Sequence, residues 1–286
     1  MLHTVEAAPI RPTRATWIRR HPLSAFFAWF FTVGQAFAFA PLVVDTPIPD
    51  QFFIIGSTLV GLFLPALVIT RLTDGPEAVR RLLRSYVRWR VGLRWYALVL
   101  LLVPLIGLAL GVALFGLPAA MTAAVVQVFA FQLVLAFLPN NWAEEGVWTG
   151  FVQARLQRRH GPVLAALITG PLFALQHIAF MVENPPLVAA LLLVFLAIMA
   201  TSFRFLTGWL FNRTGSLFLV GLLHAAGNAS AAGSGFVTDS LLRHLYPAHG
   251  MAVGIFHLLA FFVIGLVVLA VTKGRLGLSS TKESEK

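Results

Sequence analysis

Apolar runs of about the length that crosses a bilayer as a helix alternate along this chain with short polar segments. The runs predict spans at about residues 23–43, 51–70, 96–115, 119 onward, 163–182, 187–206, 216–233 and 251–271. Gly116-Leu117-Pro118, His160-Gly161-Pro162, Asn184-Pro185-Pro186 and Asn212-Arg213-Thr214-Gly215 punctuate them as turns. The fourth run differs from the rest. Residues 119–158 are too long for one straight span, and Pro139 predicts a kink inside them because it removes a backbone donor and clashes with the preceding turn. Residues Glu77 to Val91 read as a helix lying in the membrane interface, with Trp89 and Trp95 at headgroup level.

The first run contains Ala36-Phe37-Ala38, a small-residue pattern of the kind a signal peptidase cuts. The run is longer than the usual h-region of about 7–15 residues, so an uncleaved first span is expected.

Composition agrees with this reading. Hydrophobic residues make up 58% of the 286 positions and charged residues 11%, against about 25% charged in a soluble domain. The fold class that follows is all-α, a polytopic membrane protein of about eight transmembrane helices in the cell membrane. Without cysteine there is no disulfide framework, thiolate zinc site or cysteine nucleophile. The formal charge of +10 comes from short loops between spans, which argues for topology and against a nucleic-acid partner. Segments 1–22, 71–95, 155–161, 207–215 and 272–286 carry four, seven, three, one and four basic residues. The other set of loops carries only Arg243, so the predicted orientation is N-in and C-in. The expected organisation is a cytoplasmic segment 1–22, N-terminal membrane helices over 23–118, a core over 119–235, and an outer loop, last helix and tail over 236–286. No internal repeat of the kind that marks a transporter is found.

Three polar groups stand out against this background. No charged residue lies between Arg94 and the pair Glu144-Glu145. A charge at membrane depth costs roughly 2.5–3.5 kcal/mol on insertion scales, which makes it a functional-site candidate by default. The others are Phe173 with His177, and His224 with Asn228, each pair spaced to share one helical face. Glu144 lies 16 residues before His160, and His177 lies 16 residues after Gly161. Both therefore stand about 24 Å from the same turn, and His224 about 18 Å from the turn at Asn212. The three segments are expected to meet in a chamber opening toward the cytoplasm. Glu144 and Glu145 are about 100° apart on a helix, so only one can point fully into it.

A carboxylate beside a histidine activates water, and a histidine with an asparagine donates to a developing oxyanion. Together they make an acyl-hydrolysis site without serine or cysteine. Glu144, His177 and His224 could instead hold a divalent metal such as zinc, a less specific reading because they come from three separate helices. Taken singly, a membrane histidine is more often a packing residue, and a Glu pair at a helix start can act as a cap. Arg204, placed near the end of the sixth span, reads as snorkelling or phosphate-contacting. His244, His249 and His257 are assigned no function.

The pattern Glu144-Glu145, then Phe173 to His177, then His224 to Asn228 resembles the CPBP intramembrane proteases, the CAAX prenyl endopeptidase type 2 and bacteriocin-processing (Abi) group. The resemblance covers about residues 119–235. It implies an endopeptidase acting on a membrane-associated protein or peptide, with Glu144 and His177 activating water and His224 and Asn228 forming the oxyanion hole. It implies support from Glu145, Thr149 and Phe173. The family's first motif, Glu-Glu-x-x-x-Arg, has Thr149 at its arginine, so the expected ion pair with Glu145 is absent and Glu145 is neutral, hydrated or paired elsewhere. That departure favours the alternative of an inactive member serving as an immunity factor or scaffold.

Overall fold

The computed structural model describes residues 14–118, 122–237 and 239–278. Residues 1–13 of the expected cytoplasmic segment, Ala119, and the tail from residue 279 lie outside them. The described residues contain helices and turns and no strand.

After a short helix Arg14–Arg20, the chain forms α1 Pro22–Val43, α2 Asp50–Asp74, α3 Pro76–Tyr86 and α4 Leu93–Phe115. It continues as α5 Ala123–His160, α6 Pro162–Gln176, α7 Pro186–Thr214, α8 Leu217–Ala232 and α9 Phe256–Val271. Prolines occupy the first turn of α1, α3, α6 and α7, where a missing N–H costs nothing. Gly161 at φ 78° joins α5 to α6, and Gly215 at φ 63° ends α7. Helix α3 is amphipathic, as its pattern predicts, and stops at Tyr86 rather than reaching Val91.

The chain is a polytopic membrane protein. Helices α1, α2, α4, α5 and α7 are long and apolar enough to cross a bilayer, and the bent pair Pro247–Val253 with α9 makes a sixth. Helices α6 and α8 are shorter apolar helices. Two spans differ most from their expected limits. The fifth stops at Gln176, where His177 turns into a short 3₁₀ segment Ile178–Phe180. The sixth runs on to Thr214, eight residues past Leu206.

Side chains tie the basic segments into one end of the bundle. Arg19 donates to the Leu72 carbonyl at 3.1 Å, and Arg155 pairs with Asp74. Gln157 and Asn212 exchange hydrogen bonds at 3.0 and 3.1 Å. Asn212 also donates to the Leu276 carbonyl at 2.8 Å, and Ser216 Oγ donates to the Arg88 carbonyl at 2.6 Å. At the opposite end, the loop after α8 closes over the bundle. Tyr246 Oη donates to the Gly116 carbonyl at 3.1 Å, and Ser234 N donates to Gln132 Oε1 at 3.0 Å.

Candidate active site

Helix α5 breaks where the sequence predicts. Leu138, just before Pro139, takes extended angles (φ −105°, ψ 126°), because a residue preceding proline is pushed out of the helical region. The break starts a new helical stretch at Trp142 and sets Glu144 and Glu145 in its first turn. Gly146 lets this stretch sit against α3, since a Cβ there would overlap the Tyr86 ring. Tyr86 Oη donates to the Ala143 carbonyl at 3.1 Å, and Trp142 Nε1 donates to the Tyr86 carbonyl at 2.9 Å.

Glu144, His177, His224 and Asn228 all line one cavity of about 570 Å³, with Asn140, Asn141, Phe173 and Gln176 among its other walls. Glu144 faces it. Its Oε2 accepts from Asn141 Nδ2 at 3.3 Å, and its Oε1 accepts from Gln176 Nε2. Gln176 is fixed in turn by Trp148 Nε1, which donates to Gln176 Oε1. Asn228 Nδ2 donates to Asn141 Oδ1 at 3.1 Å, which uses one of its two amide hydrogens and leaves the other. His177 Nδ1 lies 3.0 Å from the Phe173 carbonyl. A carbonyl only accepts, so Nδ1 carries the hydrogen and Nε2 is the free nitrogen of the neutral ring.

Glu145 turns the other way, as the angle between neighbouring helical positions requires, and is fully buried behind the cavity. It is not unpaired. Arg204 of α7 reaches it with Nη2 at 2.7 Å from Oε1 and Nη1 at 2.9 Å from Oε2, a two-pronged carboxylate contact. Thr149 Oγ1 donates to Oε2 at 3.0 Å. His224 Nδ1 stands 3.0 Å from Glu145 Oε1 and 3.7 Å from Glu144 Oε2. The Arg204 guanidinium carbon lies 4.4 Å from the Phe173 ring centre and 4.6 Å from that of Phe203. Two ring faces thus share its charge.

The structure revises the readings of Arg204 and His257 and supplies the partner of Glu145. Arg204 is neither snorkelling nor facing lipid phosphate: it has no exposed surface, because α7 overshoots its predicted end and places the residue well inside the bundle. Of the states expected for Glu145, neutral, hydrated or paired elsewhere, the structure has it paired elsewhere, with an arginine of another helix. His257, which was assigned no function, belongs to α9 and lines the cavity. The chamber reaches one end of the bundle. Its rim includes Asp50, Gln51 and Gly233 to Gly235, which belong to the end away from the arginines. Sequence reasoning also passed over Asn141 and Gln176, which hold Glu144. The available signal for Arg204 was a lone ionisable residue inside an apolar run.

Among the described residues, no three His, Asp, Glu or Cys side chains are grouped to hold a metal ion. The residues as placed do not form a ligand set, so no step is routed through a metal.

Residues 126–230 match the family described as type II CAAX prenyl endopeptidase Rce1-like. The match supports membership of the CPBP family for that segment. The matched family is one of CAAX-type intramembrane proteases, and its members are typically proteolytic. The matched segment spans nearly all of α5, α6, α7 and most of α8, so it contains Glu144, Arg204, His177, His224 and Asn228. No curated protein matches the chain, and neither does any solved structure.

Proposed function

We propose that this protein is an intramembrane endopeptidase of the cell membrane, acting on a membrane-associated protein or peptide. The observation that carries this is the convergence of Glu144, His177, His224 and Asn228 on one cavity. Glu144 takes a proton from water, with His177 Nε2 orienting that water by accepting its other hydrogen. The hydroxide adds to the scissile carbonyl. The free amide hydrogen of Asn228 and a hydrogen on His224 Nε2 receive the oxyanion, and the proton on Glu144 passes to the leaving amine as the C–N bond breaks. His224 presents that hydrogen as an imidazolium, held by Nδ1 against the Glu145 carboxylate. The Arg204 clamp keeps Glu145 from turning into the cavity.

Thr149 no longer weighs for an inactive scaffold, because Arg204 supplies the cation that the departure removes. The topology proposed is N-in and C-in, with α6 and α8 crossing as short helices, so the cavity rim at Asp50 and Gly235 faces the outer side. The substrate then presents its scissile bond from that side. The test is cleavage of membrane-associated peptides by the purified protein in detergent, with Glu144→Gln as control. Cleavage that survives in the control, or no cleavage of any such peptide by the native chain, overturns the reading.

A further inference from the structure

A second cavity, of about 780 Å³, lies at the arginine-bearing end, away from the catalytic residues. Its wall comes from the first turns of α4 (Arg94, Trp95), the last turns of α7 (Trp209, Arg213) and the turn after α9 (Arg275). All three arginines are exposed, and no described carboxylate pairs with them or lines the cavity. Like charges gathered without a counter-ion repel one another, so they persist together only where something gains from them.

The pocket is built and not an accident of a loose tail. Asn212 holds the Leu276 carbonyl, Leu276 N donates to Thr272 Oγ1 at 3.2 Å, and the Leu276 side chain is fully buried. Gly277, at φ 82°, lets the turn lie directly on the Arg213 stem, where a Cβ would overlap it. Two tryptophans, with ring centres 5.5 Å apart, form one side. Tryptophan collects at headgroup level, and basic pockets between membrane helices take phosphate-bearing headgroups.

From this arrangement we infer that the cavity binds the phosphate headgroup of an anionic bilayer lipid. The arginines contact the phosphate, and the tryptophans and Leu98 pack the glycerol and upper acyl chain. The site tethers the ends of α4, α7 and α9, and α7 carries Arg204.

The test uses the purified full chain in a zwitterionic detergent, titrated separately with phosphatidylglycerol, phosphatidylcholine and inorganic phosphate. Bound lipid is read by native mass spectrometry and thermal unfolding. Phosphatidylglycerol is expected to bind at least tenfold more tightly than phosphatidylcholine and to raise Tm. Arg94→Gln with Arg275→Gln should weaken it about 30-fold, from the loss of two headgroup-level charges. Arg80→Gln with Arg84→Gln, exposed on α3, serves as the charge-matched control and should leave it unchanged. Both pairs are on the surface, so folding is preserved. Equal binding of the two lipids, or an equal loss in the control pair, overturns the site. The same Tm rise with inorganic phosphate alone makes it a free-anion site and overturns the lipid assignment.

Discussion

Arg204 and Glu145 meet through two hydrogen bonds, at 2.7 and 2.9 Å, and neither side chain has any exposed surface. The two residues are 59 positions apart on different helices. Removing one member of such a pair strands the other charge in a medium that cannot solvate it, at a cost of about 3–5 kcal/mol. Arg204→Met is therefore expected to lower Tm strongly and abolish turnover. Glu145→Gln added to Arg204→Met should recover much of the stability, since neither charge of the pair is left without the other, but not turnover, since His224 loses its carboxylate. Thermal unfolding and peptide cleavage across this double-mutant cycle check both points, and a zero coupling energy would show that the two do not act as a pair.

The same pair sets the outcome of restoring the family's arginine. Thr149→Arg in the native chain puts a second guanidinium beside one carboxylate, in a position with 1% exposure. Overfilling a packed site typically costs about 1–3 kcal/mol. The variant is expected to be less stable than the native protein, and combined with Arg204→Met it should be more stable than Arg204→Met alone. Thermal unfolding of the four proteins decides the point.

Glu144→Gln should leave insertion and purification intact while removing turnover, because the amide accepts no proton from water. Loss of acid–base catalysis is typically about 10²–10⁴ in rate. Single-turnover cleavage measures it directly. His177→Ala and His224→Ala are expected to lose turnover too.

For Asn228→Ala the expected effect is on kcat and not on KM. An oxyanion donor works on charge that develops only in the transition state, and its loss costs about 10²–10³ in rate. A change confined to KM would assign Asn228 to substrate binding.

Absence of native cysteine makes the accessibility test clean. Asp50→Cys, at the cavity rim, should react with a membrane-impermeant maleimide on intact cells. Arg84→Cys, on α3 at the arginine end, should react only after permeabilisation. The opposite pattern would reverse the proposed orientation and the side from which substrate enters.

The sequence alone determined that this is an all-α membrane protein, and where its chain bends. Apolar runs of bilayer length and helix-breaking prolines are local features, and solvation by lipid acts on each run separately. It also picked out Glu144, His177, His224 and Asn228, because a polar group in an apolar run stands out without any knowledge of its neighbours. The limits of α6 and α7 were not legible, since packing carried α7 past its apolar stretch and stopped α6 at His177. That shift hid Arg204, whose partner lies on another helix and leaves no spacing to read. Only the tertiary structure decided which cation neutralises Glu145, that His257 faces the cavity, and toward which end the cavity opens. Each depends on how helices far apart in sequence rotate and stack, where close packing and the cost of an unpaired buried charge select one arrangement.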